Sequence, residues 1–399
     1  MSSKVPPKNI ATRSVRAGLE SDAMHGSVVP PIYLSTNFAF ECHGRPRQYD
    51  YTRSGNPTRD QLAGALADLE GGAGAVVTCT GMAAITLVLA TLPNAARIIA
   101  PHDCYGGTYR LLAALHAKGS LLVDFIDQSN PRELQSSLAA GAKLVWIETP
   151  SNPLLRVVDI RAISEAAHAV GALAVVDNTF LSPVWQQPLS LGADLALHST
   201  TKYLNGHSDV VGGAVIAASA ELQQNLVWWA NALGVTGAPF DSFLLLRGMK
   251  TLSLRLDRQQ SNARKIAEWL NAQPAVERVY YPGLADEPQL RVHRAQASGD
   301  GAVLSFITGD AELSRAIVEA TKLFNITVSF GGVNSTISLP NYMSHASIPQ
   351  HLRQQKSIPA DLVRVSVGAE DVEDLLDDLN QAFEFASQQN VGARAVAAD

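Results

Sequence analysis

The chain is poor in the features that define several large protein classes. Its three cysteines, Cys42, Cys79 and Cys104, form neither a CxxC pair nor a metal-ligand spacing, which is typical of a reducing compartment. No stretch approaches the roughly 18 apolar residues of a membrane-spanning helix, and the first residues lack the apolar core of a signal peptide. There is no basic run, and the net charge is −6, which argues against nucleic-acid binding. We therefore expect a soluble cytoplasmic protein that binds neither membrane nor nucleic acid.

The composition is that of a large globular enzyme. With 399 residues, 46% of them hydrophobic and 17% charged, the chain is long enough for two domains with a substantial core. Proline and glycine interrupt residues 1–60, which predicts an irregular arm. This arm either covers its own domain or reaches a neighbouring subunit. We expect residues 61–256 to form one domain and residues 257–399 a second.

Apolar runs alternate with helical patterns over the first domain. A helix is expected from residue 59, with Thr58 as its N-cap and Gly71-Gly72 as its end. The expected strands lie at residues 75–78, 96–100, 121–126, 144–148, 173–179, 194–197 and 210–216. Strands that alternate with helices predict a largely parallel sheet covered by helices on both faces.

The remainder of the chain has an α+β pattern. A long helical pattern from Asp241 through Leu270 leads into it. Strands are expected at residues 302–306, 327–330 and 362–367, with helices at 311–323 and 370–387. The paired Trp228 and Trp229 are interpreted as packing or subunit contacts.

Lys202 lies in the stretch Ser199-Thr200-Thr201-Lys202, directly after the apolar run Leu195-Ala196-Leu197. Lysine is a poor nucleophile at its ordinary pKa of about 10.4. When it is partly desolvated or placed near other cations, it forms Schiff bases with carbonyl compounds. The hydroxyls of Ser199 and Thr201 are suited to a phosphate. This stretch predicts a lysine that carries pyridoxal phosphate (PLP); a surface lysine on a polar loop is the alternative.

Polar residues also follow three other predicted strands, namely Tyr105, Asn152 and Asp177. In open α/β sheets ligands bind at the carboxyl ends of the strands. A half-buried Asp177 needs a partner, and a protonated pyridine nitrogen is suitable because it keeps the cofactor ring an electron sink. Tyr105 is suited to stacking on a flat ring. The alternatives are a capping aspartate, a packed tyrosine and a turn asparagine.

Three further features are suited to anions. The turn Thr80-Gly81-Met82 lies between a strand and a helix, where backbone N–H groups approach an anion; a tight turn without ligand is equally compatible. Tyr51 and Arg53 face the same way in an extended segment and suit a phosphate, or are ordinary surface residues. Arg364 lies among apolar residues in a strand, and a buried arginine needs a carboxylate. That carboxylate belongs either to a substrate or to a structural salt bridge.

Six motifs together resemble the cystathionine γ-synthase/γ-lyase group, which belongs to the Cys/Met-metabolism family of fold-type I PLP enzymes. The resemblance runs from about Ser14 to about residue 385. The motifs are Tyr51-Thr-Arg53-Ser-Gly-Asn-Pro-Thr58, Thr80-Gly81-Met82, His102-Asp-Cys-Tyr105-Gly-Gly107, Glu148-Thr-Pro-Ser-Asn152-Pro, Val176-Asp177-Asn-Thr-Phe180 and His198-Ser-Thr-Thr-Lys202-Tyr-Leu-Asn-Gly-His207.

The resemblance implies an α/β fold, that of a fold-type I PLP-dependent transferase. It has a mostly parallel seven-stranded sheet flanked by helices, and a smaller α+β C-terminal domain. It also implies a role for each site residue. Lys202 forms the Schiff base and carries protons, Asp177 binds the pyridine nitrogen, and Tyr105 stacks on the ring and accepts a proton from the substrate amine. The phosphate is held by Gly81, Met82, Ser199 and Thr201, joined by Tyr51 and Arg53 of a neighbouring subunit. Arg364 and Asn152 bind the substrate α-carboxylate, and Ser335 orients Lys202. The implied assembly is a homotetramer of two catalytic dimers.

The implied reaction is γ-replacement, in which cysteine displaces the acyloxy group of an O-acylhomoserine to give cystathionine. This reaction is favoured because residues 228–248 are most similar to bacterial members on the synthase side of the group. O-succinylhomoserine is the favoured donor, with its O-acetyl counterpart as the alternative. Asp50 matches an acidic residue near the substrate amine, and Gly107 argues against a methionine γ-lyase. Arg110 is a candidate for the succinyl carboxylate, or a helix-surface arginine. Asn334 stands where the group usually has glutamate, which leaves open how the amino group of the second substrate is held.

Three other functions are considered. The nearest is γ-elimination of cystathionine to cysteine, 2-oxobutyrate and ammonia. A non-catalytic PLP-fold protein is disfavoured by the retention of Lys202, Asp177 and Arg364. A nicotinamide oxidoreductase is disfavoured because Gly72 and Gly74 precede their strand and the GxGxxG fingerprint is absent.

Overall fold

The computed structural model describes residues 9–19, 21–343 and 358–396. Within these ranges, a large sheet consists of β1 (Gly74–Thr78), β2 (Ala96–Pro101), β3 (Leu121–Ile126), β4 (Ala142–Glu148), β5 (Leu173–Asp177), β6 (Leu195–His198) and β7 (Gly213–Ala217). The strand order is β1-β7-β6-β5-β4-β2-β3. Strands β2 to β6 run parallel, and β7 is antiparallel to both β1 and β6. The predicted, mostly parallel sheet is therefore confirmed.

Helices cover both faces of this sheet. They are α1 (Ile10–Arg16), α2 (Pro57–Glu70), α3 (Gly81–Ala90), α4 (Gly106–Ala117), α5 (Pro131–Ala139), α6 (Ile160–His168), α7 (Ser182–Trp185) and α8 (Ala220–Leu233). One face packs on α3 and α8, and the other on α5 and α6. Because both faces are covered, a strand such as β2 is apolar along its length: Ile98 and Ile99 point in opposite directions, and both are fully buried.

The start of α2 corrects one prediction. Thr58 was expected to cap this helix, but the cap is Asn56, whose side chain accepts hydrogen bonds from the backbone N–H groups of Thr58 and Arg59. Pro57 takes the first helical position, where its missing N–H has no cost. The helix ends at Gly71, whose φ of 75° is in the left-handed region that favours glycine.

The long helical pattern from Asp241 to Leu270 forms two helices, α9 (Pro239–Met249) and α10 (Leu252–Asn271). The carbonyl of Gly248 accepts hydrogen bonds from Thr251 N and from the Arg255 guanidinium, so the regular helical ladder ends there. The predicted domain boundary at residue 256 falls inside α10. This helix belongs to a hydrophobic core to which both the large sheet and the C-terminal sheet contribute.

The C-terminal sheet comprises β8 (Arg278–Tyr280), β9 (Val303–Ile307), β10 (Asn325–Ile326), β11 (Thr336–Ser338) and β12 (Val363–Ser366), in the order β10-β11-β12-β9-β8. It shares a core with α12 (Ala311–Ala320) and α13 (Val372–Val396), while α11 (Glu287–Gln296) follows β8 in the chain. The strand predicted at 327–330 is wrong. The extended backbone ends at Ile326, and Ser329 has a φ of 89°, which is incompatible with a strand.

Strands β4, β5 and β6 end side by side. Glu148 pairs with Asp177 in the register of β4 and β5, and Asp177 pairs with Leu197 in that of β5 and β6. The loop that carries Lys202 follows directly. None of the described helices is both long and apolar enough to cross a bilayer.

Candidate active site

A cavity of about 400 Å³ opens at the carboxyl ends of β4, β5 and β6. Its walls are completed by the start of α3, the start of α4, the loop at residues 328–330 and strand β12. The sequence-predicted residues that line it are Gly81, Met82, Tyr105, Arg110, Asn152, Asp177, Ser199, Thr201, Lys202 and Arg364. A larger hollow of about 750 Å³ lies between the arm and α2. Among the described residues, no lysine lines that hollow. The lysine predicted to form a Schiff base, Lys202, lines the cavity at the sheet.

Lys202 projects into the cavity from the loop after β6. Its Nζ donates a hydrogen bond to Ser329 Oγ and lies 5.1 Å from the centroid of the Phe330 ring. Burial, and then the positive charge of Arg364, lower the pKa of Lys202 to about 8. A larger fraction of this amine is therefore unprotonated near neutral pH than is usual for lysine, as a nucleophile toward carbonyl carbon requires.

Asp177 ends β5 on the floor of the cavity. Its carboxylate accepts hydrogen bonds from the backbone N–H and the hydroxyl of Thr179. Burial raises the pKa of Asp177, while the Thr179 hydrogen bonds and the nearby His198 oppose this shift. A carboxyl in this position is suited to a positively charged ring nitrogen.

Glu148 is a site residue to which the sequence analysis gave no role. It ends β4 beside Asp177, and its carboxylate accepts hydrogen bonds from Tyr105 N at 2.7 Å and from Trp146 Nε1 at 3.0 Å. Burial, and then the charge of Asp177, raise the pKa of Glu148 to about 8. Its position at a strand end was a signal that it shares with Asp177.

Tyr105 stands at the entrance, where it is 42% exposed. Its ring lies close to Gly107: a Cβ at that position would come within 2.4 Å of Tyr105 Cε1 and 2.7 Å of Met82 Sδ. Only glycine at position 107 leaves the tyrosine ring and Met82 where they are. The aromatic face beside the cavity fits the stacking role predicted for Tyr105.

The start of α3 forms an anion cradle. Thr80 caps the helix, and a Cβ on Gly81 would come within 2.9 Å of Ser199 Cβ and 3.0 Å of Ser199 Oγ. The absence of that carbon lets the helix N-terminus and Ser199 face the same space. Thr201 lies nearby, but its hydroxyl already donates to Gly212 O and accepts from Gly212 N.

Arg364 reaches the cavity from β12 and is 3% exposed. Its guanidinium donates to Asn152 Oδ1 at 3.0 Å and to the carbonyl of Ser329 at 2.8 Å. In the described residues it forms no ion pair, so the structural salt bridge considered for it is not present there. Arg364 and Asn152, predicted to act together, are in direct contact.

Ser335 and Asn334, both predicted site residues of the C-terminal part of the chain, lie outside the cavity. Ser335 was expected to orient Lys202, but its hydroxyl donates to Glu370 Oε2 at 3.0 Å and accepts from Gly368 N. The serine in contact with Lys202 is Ser329. Asn334, expected near the substrate amine, precedes Ser335 on the same turn and does not line the cavity.

The arm residues do not reach the cavity of their own chain. The Arg53 guanidinium donates to the carbonyl and to Oδ1 of Asn231 on α8, and it lies 5.6 Å from the centroid of the Tyr51 ring. Tyr51 is 43% exposed. Asp50 is also exposed, and its carboxylate accepts from the adjacent N–H of Tyr51.

The cavity fits PLP. A lysine with a lowered pKa and a carboxylate suited to the ring nitrogen line the same cavity, and a helix N-terminus that begins with glycine leaves space for a phosphate. Arg364 and Asn152 remain for a substrate carboxylate. When bound, PLP supplies an electron sink for the carbon atoms next to the substrate amine.

Comparisons with known proteins agree with this geometry. Residues 11–384 match the family described as Cys/Met metabolism PLP-dependent enzyme. The chain is 50% identical to the cystathionine γ-synthase of Escherichia coli K12 over 95% of this chain and 98% of that protein. It is 42% identical to the cystathionine γ-lyase of Bacillus subtilis 168 over 94% and 98%, respectively, and cystathionine β-lyases are also among its relatives.

A solved structure has the same fold. The cystathionine γ-synthase from Xanthomonas oryzae pv. oryzae, in complex with aminoacrylate and cysteine, superposes with a TM-score of 0.94. It is 53% identical, and the match covers 96% of this chain and all of that one. The match extends over both sheets, and the fold is that of fold-type I PLP enzymes. The chain belongs to the Cys/Met metabolism family and is a PLP-dependent enzyme.

Proposed function

We propose that the enzyme catalyses γ-replacement, forming cystathionine from an O-acylhomoserine and cysteine in methionine biosynthesis and transsulfuration. The main support is that two arginines, Arg364 and Arg110, line one cavity around Lys202. A substrate with a carboxylate at each end would engage both. O-succinylhomoserine has this form, whereas the O-acetyl ester lacks the second carboxylate.

Each residue has a proposed part in this reaction. Arg364 and Asn152 bind the α-carboxylate and thereby fix the substrate amine and Cα. Lys202, as the free amine, removes the Cα proton and then transfers a proton from Cβ, so that the acyloxy group leaves Cγ as the carboxylate. The cysteine thiolate adds to Cγ in its place, and protons return to Cβ and Cα. Tyr105 covers the ring and takes a proton from the substrate amine, and Ser329 holds Lys202 in line.

The cofactor contacts are also proposals. Asp177 binds the ring nitrogen, while the start of α3 at Gly81 and Met82, together with Ser199, binds the phosphate. Thr201 contributes only if its hydroxyl turns away from the carbonyl of Gly212. Tyr51 and Arg53 would come from a second copy of the chain, since they lie outside the cavity of their own chain, with Asp50 near the substrate amine. This arrangement requires an oligomer, which we propose to be a homotetramer of two catalytic dimers in the cytoplasm.

Product analysis tests the proposed reaction. The enzyme is incubated with O-succinyl- or O-acetylhomoserine, each with and without cysteine, and separately with cystathionine. Cystathionine is the expected product from the succinyl ester plus cysteine. Release of cysteine, 2-oxobutyrate and ammonia from cystathionine, with no cystathionine formed from the esters, would instead establish the γ-lyase, which the similarity to γ-lyases keeps as the second candidate.

Arg110 provides a sharper test of the acyl donor. Because an arginine–carboxylate contact is lost, Arg110→Ala is expected to raise KM for the succinyl ester by roughly tenfold or more. The acetyl ester, which has no distal carboxylate, should keep its KM. Equal effects on both esters would remove Arg110 from donor recognition.

A further inference from the structure

Glu148 and Asp177 form a pair of carboxyl groups on the floor of the cavity. They are partners in the register of β4 and β5, so their side chains leave the sheet on the same face, from neighbouring strands about 4.8 Å apart. Glu148 is 7% exposed, and both residues line the cavity. Only one of the two, Asp177, has a part in the proposed reaction.

The contacts of Glu148 connect it to the cavity wall. One carboxylate oxygen accepts from the backbone N–H of Tyr105, and the other accepts from the indole N–H of the fully buried Trp146. The Tyr105 contact fixes the main chain at the point where α4 begins. Glu148 therefore holds the residue whose ring is proposed to cover the cofactor.

In the described part of the chain, neither carboxyl group of the pair has a cationic side chain within ion-pair distance. Two neighbouring buried carboxyl groups cannot both ionise at low free-energy cost. The pair therefore keeps one proton at pH values well above those at which a carboxyl group ordinarily loses it. The raised pKa values of both groups agree with this.

The surrounding charges do not remove the proton. Asp103, on the loop after β2, adds a further negative charge that raises the pKa of Glu148. His198 lowers the pKa of Asp177, and the charge of Asp177 in turn raises the pKa of Glu148, so we assign the shared proton to Glu148. The cations that line the same cavity are Lys202, Arg364 and Arg110.

We propose that Glu148 is a positioning residue that keeps this proton until a positively charged ring nitrogen lies beside Asp177, and then releases it to solvent. The ring nitrogen provides the missing counter-ion, so Glu148 becomes an anion as the site fills. As an anion it accepts charge-assisted hydrogen bonds from Tyr105 N and Trp146 Nε1, which are stronger than neutral ones. Filling of the cofactor site thereby stiffens the wall that carries Tyr105.

This inference goes beyond the proposed reaction, since it holds equally for replacement and for elimination. It does rest on the proposed role of Asp177 as partner of the ring nitrogen. The direction in which affinity for the ring changes with pH follows from proton linkage. If Glu148 loses a proton on binding, affinity for the ring rises with pH below about 8 and levels off above it.

The test uses cofactor-free enzyme and pyridoxine 5′-phosphate, which has an alcohol in place of the aldehyde and so forms no bond with Lys202. Its dissociation constant is measured calorimetrically from pH 6.5 to 8.5 for the wild type and Glu148→Gln. The ratio of the two affinities should rise with pH, by at most about tenfold per pH unit for one proton. Glu165→Gln, at an exposed position on α6, is the matched control and should follow the wild type.

The outcomes separate this inference from the cofactor assignment. If Glu148→Gln and the wild type keep a constant ratio across the range, while Asp177→Asn loses binding at every pH, the inference is overturned and the assignment of Asp177 stands. If Asp177→Asn binds like the wild type, both are overturned.

A second measurement needs no variant at position 148. Trp146 donates directly to Glu148, so its emission in the cofactor-free wild type should titrate with a midpoint near pH 8, and Trp146→Phe identifies that component. Pyridoxine 5′-phosphate should move the midpoint to lower pH by about one unit or more. A midpoint that does not move would overturn the inference even if Glu148→Gln fails to fold.

Discussion

Lys202 and Ser329 are joined by a hydrogen bond from Nζ to Oγ, although 127 positions separate them in the chain. The same serine accepts a hydrogen bond from Arg364 through its carbonyl. Ser329 has a φ of 89°, a conformation that costs a non-glycine residue of order 1–3 kcal/mol. One strained residue thus links the nucleophile to the group proposed to bind the substrate carboxylate.

Ser329→Ala should lower kcat with little effect on folding. The variant removes the acceptor of the Lys202 hydrogen bond, and a hydrogen bond to a charged group contributes roughly 1.5–3 kcal/mol. We therefore expect kcat to fall by about tenfold or more. Steady-state kinetics and thermal melting of the same preparation measure the two effects.

Ser335→Ala is the matched comparison. Ser335 is fully buried and binds Glu370 and Gly368, so its loss should lower the unfolding free energy by about 1–3 kcal/mol and leave kcat nearly unchanged. The reverse pattern, with kcat sensitive to Ser335 and not to Ser329, would restore the role that the family resemblance implies for Ser335.

Arg364 should control the pH at which Lys202 reacts. Lysine attacks a carbonyl as the free amine, which predominates above its pKa, here about 8 because of burial and the charge of Arg364. Arg364→Gln removes that charge, so the pKa rises. The midpoint of pyridoxal addition to cofactor-free enzyme, followed by absorbance, should move to higher pH.

The control for this shift is Arg278→Gln. Arg278 is an exposed arginine that pairs with Asp286 on the surface, and its replacement should leave the midpoint where it was. A midpoint unchanged in Arg364→Gln, or moved to lower pH, would mean that the charge of Arg364 does not act on Lys202.

Gly81→Ala should weaken PLP binding. The added Cβ would come within 2.9 Å of Ser199 Cβ, so Ser199 and the start of α3 must move apart and the anion cradle widens. We expect the dissociation constant for PLP to increase by about tenfold, the equivalent of 1.4 kcal/mol, as measured by titration of cofactor-free enzyme.

Gly64→Ala provides the contrast. Gly64 is an exposed glycine of α2, and nothing lies within 4 Å of a Cβ built there. This substitution should stabilise the protein by roughly 0.5–1 kcal/mol without changing PLP affinity. Equal PLP affinities in the two variants would show that the α3 turn is not part of the phosphate site.

The sequence predicted those site residues whose position can be recognised from the residues next to them in the chain. Asp177 and Lys202 were found because each follows a short apolar run, and the strand-end rule brings such residues together. Arg364 was recognised as buried because its neighbours in the predicted strand are apolar. The resemblance implied that Arg364 acts with Asn152, but not their direct hydrogen bond across 212 positions nor the contact of Arg364 with the carbonyl of Ser329, because both depend on how β12 packs.

The errors have physical causes as well. Residues 327–330 have the composition of a strand, but Ser329 leaves the extended region to reach Lys202 and Arg364, a tertiary contact that overrides local preference. The three-residue strands β8 and β11 were missed because so short a segment carries no clear period. Glu148 also ends a predicted strand, but its pairing with Asp177 depends on the register of β4 and β5, which the sequence does not display.

The last prediction concerns the arm. If Arg53 serves the cavity of a partner, Lys202→Ala and Arg53→Ala chains should complement each other. Arg53→Ala alone loses an arginine–phosphate contact, and Lys202→Ala alone loses the nucleophile. In a mixed dimer, the cavity of the Arg53→Ala chain keeps Lys202 and receives an intact arm from the other chain.

Co-expression at equal levels makes half of the dimers mixed, each with one intact site, so about a quarter of the wild-type specific activity should return. Lys202→Ala with Asp177→Asn is the control: both changes lie in the cavity of one chain, each cavity stays defective whichever arm it receives, and the mixture should stay inactive. If the activity of the first mixture equals the sum of the activities of its two parent variants, Arg53 acts within its own chain or has no part in the site. To act within its own chain, the arm would have to leave Asn231 on α8 and fold back over its own cavity.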